Sequence, residues 1–180
     1  MNRMILLLTV TGTVILLAAG VALAAAINGT NHADRLVGTN AGDTIKGRGG
    51  GDSMYGKDGP DVLFGGRGAD TMVGSVGNDA MFGGEGNDTL SGGPGLDKLY
   101  GGVGDDTIKG GEDNDTTDGQ QGSDTLIGGP GNDRIIAGTG DNHHIYARDG
   151  EQDLICVDPN SAGTVETSDP NDDFIFNLSC

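Results

Sequence analysis

The chain has 180 residues, of which 36 are glycine, none is tryptophan and 4% are aromatic, and its formal net charge is -17 at pH 7. This composition excludes an ordinary globular core, because too little apolar surface is present to offset the entropy lost on folding. The acidic charge also argues against nucleic acid or an anionic membrane as a partner, since both repel it. The chain is therefore either disordered or ordered by a bound species that neutralises its charge.

The first 26 residues have the composition of a secretory signal peptide. Arg3 supplies a positive charge, residues 4–20 are apolar, and the small residues at 22–26 offer cleavage sites after Ala24 or Ala26. An uncleaved membrane anchor is the alternative, because the uncharged stretch is long enough to span a bilayer. We expect cleavage and export by the general secretory route. The predicted location is secreted or extracellular, with attachment to the cell surface left open.

Residues 29–136 repeat with a period of nine. Each unit opens with glycine, carries aspartate at its sixth place and has an apolar residue at its eighth, and only Thr117 breaks the apolar column. The aspartates are Asp34, Asp43, Asp52, Asp61, Asp70, Asp79, Asp88, Asp97, Asp106, Asp115, Asp124 and Asp133. Because three columns hold their phase over twelve units without an insertion, the pattern indicates one repeated structural unit and not a compositional bias.

Each unit predicts a six-residue turn followed by a three-residue strand. In the strand the eighth place points inward, while the seventh and ninth places point outward. Two units make one coil of 18 residues, so unit n stacks on unit n+2 at the usual strand spacing of about 4.8 Å. The predicted fold class is all-β: a parallel β-roll, or β-helix solenoid, of nonapeptide repeats with two repeats per coil and a C-terminal cap.

Units such as 65–73 and 83–91 match the pattern G-G-x-G-x-D-x-U-x, in which U is a large apolar residue. This pattern resembles the haemolysin-type calcium-binding repeat, also called the repeats-in-toxin or RTX repeat. The resemblance implies that each Ca²⁺ lies between stacked turns and takes oxygen ligands from both. Counting each unit n with unit n+2 gives about ten ions. Their charge of about +20 would offset the formal charge of -17.

A glycine-rich turn suits calcium, which takes six to eight oxygen ligands, because glycine lets backbone carbonyl groups point inward and the aspartate adds a carboxylate. Beside the twelve aspartates, the glycines predicted to form the sites are Gly65, Gly66, Gly68, Gly83, Gly84, Gly86, Gly92, Gly93, Gly95, Gly101, Gly102 and Gly104. Since each unit contributes one inward apolar side chain, we expect calcium to supply much of the folding free energy.

Some units depart from the pattern. The early units carry another residue than glycine at the second place (Thr30, Thr39, Arg48 and Lys57) or at the fourth (His32 and Ala41). The sites there are less certain, although a carbonyl group at the second place can still be a ligand. The unit 110–118 has Asp113 in place of the fourth glycine and Thr117 in the apolar column. That unit is either a soft point in the roll or a site enriched in carboxylates, and we favour simple drift of one unit.

The phase of the repeat fails after Ile136. The residues that follow resemble a decayed turn with Asn142 in place of the aspartate. Apolar runs at 145–147, 154–157 and 174–176 predict further strands. Because a solenoid needs a cover over its exposed core, we assign residues 137–180 to a C-terminal cap, after a signal peptide over 1–26 and repeats over 27–136.

Both cysteines lie in this C-terminal segment. A disulfide between Cys156 and Cys180 is expected in an oxidising compartment, with two free thiols as the alternative. His143 and His144 would form a transition-metal pair, but two adjacent histidines in a loop are more typical of a polar surface.

Three aromatic residues, Phe64, Phe82 and Tyr100, are spaced 18 apart at the ninth place and predict an outward aromatic ladder. The ladder either stabilises the strands by stacking, which we favour, or docks a glycan, a ligand or a cell surface.

The sequence contains no nucleophile elbow, no H-E-x-x-H motif and no phosphate loop, so we expect no enzymatic activity. The leading hypothesis is a secreted calcium-binding structural or interaction module. One alternative is an adhesin or matrix component that binds through the ladder, and another is a fragment of a secreted RTX toxin or hydrolase. The sequence leaves the oligomeric state open.

Overall fold

The computed structural model of the chain describes residues 13–15, 23–147, 150–157, 164–165 and 174–176, with side chains over 23–147 and 150–157. In these residues the fold is an all-β parallel solenoid of about seven turns without a helix. The predicted fold class is thereby confirmed.

The solenoid has two nine-stranded parallel sheets. Sheet A contains β1 Thr13–Ile15, β3 Arg35–Val37, β5 Ser53–Asp58, β7 Thr71–Val76, β9 Thr89–Pro94, β11 Thr107–Glu112, β13 Thr125–Ile127, β15 His144–Tyr146 and β17 Thr164–Val165. Sheet B contains β2 Ala26–Asn28, β4 Thr44–Gly49, β6 Val62–Arg67, β8 Ala80–Glu85, β10 Lys98–Val103, β12 Thr116–Gln121, β14 Arg134–Ile136, β16 Leu154–Cys156 and β18 Phe174–Phe176. Consecutive strands therefore lie in opposite sheets, and two units complete one coil.

The core consists of one row of mainly apolar side chains along the inner face of each sheet. Strands pair with an offset of 18 residues, so that Leu63 aligns with Met81 and Met72 aligns with Leu90. The fully or almost fully buried eighth-place residues are Leu36, Ile45, Met54, Leu63, Met72, Met81, Leu90, Leu99, Ile108, Leu126 and Ile135. Ile27 precedes the first unit, yet it is also buried and aligns with Ile45. The core therefore begins one strand before the repeat pattern does.

The strands of the middle units are twice as long as predicted. β8 has six residues, because its last three positions belong to the next turn and still pair with the coil before. Gly66 aligns with Gly84 and Arg67 with Glu85 in the same ladder. The prediction of a six-residue turn and a three-residue strand is therefore wrong for these units, whereas β3, β13 and β14 have three residues each. The first three turn residues remain in the sheet, and the positive φ of 118° at Gly84 redirects the chain without breaking the pairing.

The solenoid continues beyond Ile136. Ile145 aligns with Leu126 and Ile155 aligns with Ile135, at offsets of 19 and 20 residues in place of 18. The extra residues are taken up in the turns, so the strands keep their register. The strands expected near 145, 155 and 175 are present, and β17 is a further strand that the sequence did not predict.

Several predictions concern residues outside the described part of the chain. These include most of the predicted signal peptide, Cys180 and much of the cap. Signal cleavage, the Cys156–Cys180 disulfide and the division into three segments therefore stay predictions. Among the described residues, no helix has the length and apolar character needed to cross a bilayer.

The aromatic ladder is present on the outer face of sheet B. Phe64 and Phe82 stack with ring centroids 5.0 Å apart and planes inclined by 10°, and Phe82 and Tyr100 stack at 5.0 Å and 5°. The Lys46 ammonium lies 5.5 Å from the centroid of the Phe64 ring at the end of the stack. Parallel in-register strands therefore hold the rings face to face, as the 18-residue spacing predicts.

Thr117 is a weak point of the core. It occupies the inward eighth place and is fully buried, and its hydroxyl oxygen has no hydrogen-bond partner. A buried hydroxyl without a partner destabilises the fold, because it gives up its hydrogen bonds to water.

We expect Thr117→Val to raise the free energy of unfolding by about 1 kcal/mol, because valine has nearly the same shape and buries no hydroxyl. Thermal denaturation in the presence of calcium measures the change. Thr107→Val, at an exposed seventh place, is the matched control and should shift the free energy by less than about 0.5 kcal/mol. A destabilised Thr117→Val variant would contradict this account of the core.

Candidate metal centre

The aspartates of the repeat form two columns, one along each edge of the solenoid, and all twelve are buried. From Asp34 to Asp115, the backbone N–H of each aspartate donates to the carboxylate oxygen Oδ1 of the aspartate one coil further on, over distances of 2.6–2.9 Å. These bonds fix the orientation of each acceptor carboxylate and leave its other oxygen, Oδ2, facing the inside of the turn.

That second oxygen has no donor in most of the repeat. Oδ2 is buried without a hydrogen bond in Asp52, Asp61, Asp70, Asp79, Asp88, Asp97, Asp106 and Asp115. Oδ2 of Asp124 also has no hydrogen bond, but Nδ1 of His143 lies 3.5 Å from it. Buried polar atoms of proteins are nearly always hydrogen-bonded or bound to an ion, because burial without a partner costs free energy. Eight orphaned carboxylate oxygens in register therefore mark places where a cation fits.

Backbone oxygens lie beside these carboxylates. A Cβ added to Gly65 would collide with both Oδ2 of Asp70 and the carbonyl oxygen of Gly83, one coil further on. The same relation holds at Gly47, where an added Cβ would collide with Oδ2 of Asp52 and with the Gly65 carbonyl oxygen. Oxygens from two successive turns thus converge at one place, and the space beside them is too small for any side chain.

The predicted site glycines all lie in these turns. Gly66 and Gly68 have positive φ of 114° and 119°, and a Cβ on either would collide with a carbonyl oxygen of the preceding coil. The other predicted glycines occupy equivalent first, second and fourth places: Gly83, Gly84, Gly86, Gly92, Gly93, Gly95, Gly101, Gly102 and Gly104. The carbonyl groups of these turns therefore point along the stack, toward the next coil.

Side chains alone do not form a metal cluster. Over the described ranges, no group of three or more His, Cys, Asp or Glu side chains is placed to hold a metal ion. A cation between the turns would therefore rely on one carboxylate and several backbone oxygens, which is a ligand set of the kind that calcium accepts.

The first two aspartates differ from the rest. Oδ2 of Asp34 accepts hydrogen bonds from the backbone N–H and the hydroxyl of Thr30 at 2.5 and 2.9 Å. Oδ2 of Asp43 accepts the equivalent bonds from Thr39 at 2.5 and 3.1 Å. The carboxylates of these two predicted sites are therefore satisfied within their own turns.

His143 is buried and does not lie on a polar surface, so the prediction for this residue is wrong. Because His144 aligns with Thr125, His143 occupies the place of the aspartate, where Asn142 was expected. The backbone N–H of Asp124 donates to Nδ1 of His143 at 3.2 Å, as it would to an aspartate. The one-residue insertion in the turn moved the register, which a fixed period of nine cannot detect. His144 is exposed.

Asp153 belongs to one of the aspartate columns, although the nine-residue period did not identify it. The backbone N–H of Asp133 donates to Oδ1 of Asp153 at 2.8 Å, across an offset of 20 residues. The signal that identifies both residues is local: an apolar core residue follows two places later, Ile145 after His143 and Ile155 after Asp153.

Burial makes these carboxylates weak acids when no cation is present. It raises the pKa of Asp70 to about 6, of Asp61 to about 7 and of Asp115 to about 8, against an ordinary value of 3.8. The backbone hydrogen bond to each Oδ1 lowers the pKa in part, while repulsion from neighbouring aspartates, such as Asp97 beside Asp115, raises it further. Without a bound cation, the aspartate carboxylates of the folded columns therefore bind protons more tightly than ordinary carboxylates do.

We expect acid to stabilise the metal-free fold. The folded-state pKa values of about 6 to 8 lie above the ordinary 3.8, so the folded chain binds protons more tightly than the unfolded chain does. The stabilisation is complete below about pH 4 and is lost as the pH rises through about 6 to 8. Far-UV circular dichroism of the chelator-treated protein should show more β-structure near pH 5 than at pH 8.5. A spectrum that does not change with pH would contradict the prediction.

Gly47→Ala should disrupt a site, because its Cβ would collide with the Asp52 carboxylate and the Gly65 carbonyl oxygen. We expect a loss of stability of about 1–3 kcal/mol, as for other overpacked buried positions. Gly49→Ala in the same turn is the control, since the nearest atom to its Cβ is the Arg67 carbonyl oxygen at 3.8 Å. Thermal denaturation in calcium compares the two variants, and equal effects would show that the collision at Gly47 is not what matters.

Comparison with known proteins agrees with this geometry. The family model described as the RTX calcium-binding nonapeptide repeat (4 copies) matches six overlapping segments, residues 28–63, 47–81, 55–90, 82–117, 91–126 and 118–143. Together they run without a gap from residue 28 to residue 143, well over half of the chain. A search of curated proteins finds no match. The chain belongs to the family of RTX calcium-binding nonapeptide repeat proteins.

Proposed function

We propose that this protein is a secreted structural module whose β-roll forms when Ca²⁺ binds between successive turns. The observation that carries the proposal is the set of eight aspartates whose buried Oδ2 atoms have no hydrogen-bond donor. In each site the carboxylate acts together with carbonyl oxygens of the glycine-rich turns, which include the first-place, second-place and fourth-place glycines named above.

Oxygen ligands favour calcium over other biological cations. Thiolate and imidazole ligands, which zinc and copper prefer, are absent from the eight turns in question. Magnesium requires a near-ideal octahedron at about 2.0–2.1 Å and keeps several waters, whereas calcium accepts irregular sets of six to eight oxygens. A site made largely of backbone carbonyls on two stacked coils is therefore better suited to calcium.

Metal binding would drive folding because the core is thin. Each nine-residue unit except 110–118 contributes one buried apolar side chain, such as Leu63 or Met81, and every unit also buries one carboxylate. Removing a charge from water opposes folding, and a cation at the carboxylate reverses that cost. The free energy of metal binding then becomes free energy of folding. A chain of this kind stays unfolded where calcium is scarce and folds after export.

The aromatic ladder fits a supporting role in the same module. Phe64 and Phe82 keep 37% of their surface exposed, and the ladder rings cover one another's faces. Stacking of this kind stabilises neighbouring strands, so we assign the ladder to the cohesion of the roll.

A calcium titration of the purified protein, followed by far-UV circular dichroism, tests the proposal. We expect a transition from coil to β-structure at about 10⁻⁴–10⁻³ M Ca²⁺, the range of extracellular calcium modules. The same titration with Mg²⁺ is the control and should leave the coil spectrum unchanged. Asp88→Asn should move the transition to higher calcium, because it removes one carboxylate from the middle of a column. A spectrum that stays disordered in saturating calcium would sink the proposal.

A further inference from the structure

The first two turns of the roll are closed by threonine hydroxyl and backbone groups. In the turn 29–34, the N–H and the hydroxyl of Thr30 both reach Oδ2 of Asp34, at 2.5 and 2.9 Å. In the turn 38–43, the N–H of Thr39 reaches Oδ2 of Asp43 at 2.5 Å. The Thr39 hydroxyl lies 3.1 Å from both oxygens of this carboxylate and 3.2 Å from the Leu23 carbonyl oxygen. The carboxylate oxygen that is orphaned in the next eight turns has two donors in each of these.

The backbone of these turns is also of a different type. From the third unit onward, the second place has a positive φ, including 84° at Arg48 and 88° at Lys57, and the fourth place has 100° at Gly50. In the first two units, neither the second nor the fourth place, occupied by Thr30, His32, Thr39 and Ala41, has a positive φ. The non-glycine residue at the second place does not explain the difference, because Arg48 and Lys57 keep the left-handed conformation.

Each threonine hydroxyl stabilises this alternative turn. It accepts a hydrogen bond from the backbone N–H two residues on, from His32 to Thr30 at 3.2 Å and from Ala41 to Thr39 at 3.3 Å. Threonine side chains commonly form such local turns. This local turn points the backbone N–H of Thr30 or Thr39 at the carboxylate of its own unit.

Donors at this place exclude a cation. The hydrogen atoms of an N–H and an O–H group carry partial positive charge, and in both turns these groups lie within hydrogen-bond distance of the oxygen that a calcium ion would need. A cation would have to break two hydrogen bonds to each carboxylate and rebuild the backbone of the turn. The free energy of metal binding at such a turn falls by the cost of both changes.

We propose that the first two turns bind no calcium and that the metal sites begin with Asp52 and Asp61, an inference that rests on the proposed function. Threonine takes the place of the ion at the N-terminal end of both columns. Of the ten pairs of turns n and n+2 in the repeat, the two that start at Asp34 and Asp43 are removed, which leaves eight. These eight aspartates, from Asp52 to Asp115, all have an orphaned Oδ2 atom. Oδ2 of Asp124 also has no hydrogen bond, but it lies 3.5 Å from Nδ1 of His143, and its turn stacks on residues beyond the repeat.

Native mass spectrometry of the full chain in saturating calcium counts the bound ions and tests the proposal. Thr39→Gly restores the glycine of the repeat pattern and removes the hydroxyl, so we expect one more ion than in the parent protein. Thr39→Ser retains the hydroxyl and should leave the count unchanged. A count that does not rise in Thr39→Gly, while circular dichroism shows the fold intact, would overturn the proposal.

A pair of aspartate variants gives an independent test that does not depend on building a new site. Asp43→Asn should leave the number of bound ions unchanged, whereas Asp79→Asn, two coils further along the same column, should lower it by at least one. Loss of an ion in Asp43→Asn would contradict the proposal while leaving the proposed function intact. A parent protein that binds no calcium would instead overturn the proposed function, and this inference with it.

Discussion

The structure depends on how negative charge is held inside the roll. Each unit buries an aspartate, and from the second unit onward its Oδ1 accepts a hydrogen bond from a backbone N–H of the preceding coil. For the eight aspartates from Asp52 to Asp115, the Oδ2 atom has no protein donor. Hydrogen bonds therefore position the carboxylates but do not neutralise them. The raised pKa values of Asp61 and Asp115 reflect the same imbalance, since burial favours an uncharged form. In the proposed function, a divalent cation keeps the columns charged and folded at neutral pH.

The glycine content follows from this arrangement. The space between coils contains the carboxylate and carbonyl oxygens, and a Cβ at Gly65 or Gly83 would meet both. Small residues are needed at these places for room, and at Gly66 and Gly68 also for the left-handed backbone. The interior on the other side of the strand is correspondingly narrow, with one apolar side chain per unit. The candidate metal sites and the core thus lie on opposite sides of the same strands.

Much of this architecture could be predicted from the sequence because one period governs it. A repeat of nine places the core residues, the aspartates and the aromatic ladder, and two units per coil fix the register of Leu63 on Met81. The period could not show that turn residues stay in the sheet, since strand length depends on backbone φ. It also failed where the turns grow by one or two residues, so that His143 and Asp153 were not recognised as members of the columns.

The candidate sites were less predictable than the fold. An aspartate at the sixth place looks the same in the sequence whether its second oxygen is orphaned, as in Asp52, or hydrogen-bonded, as in Asp34. The difference depends on the direction in which the N–H of the second residue points. That direction is a property of the folded turn and not of residue type alone, because Arg48 and Thr30 both replace glycine with opposite results.

The hydrogen bonds from the backbone N–H groups of the aspartates to carboxylates of the next coil give the roll a direction. From Asp34 to Asp115, each aspartate N–H donates to the carboxylate one coil nearer the C-terminus, so the replacement of one aspartate has unequal effects on its two neighbours. The coil before it loses a hydrogen-bond acceptor, whereas the coil after it keeps its own. A side chain can therefore stand in for aspartate only if it offers an acceptor to the preceding coil. His143 meets this requirement through Nδ1, which shows how such a column can vary in chemistry at its end and still keep its coils in register.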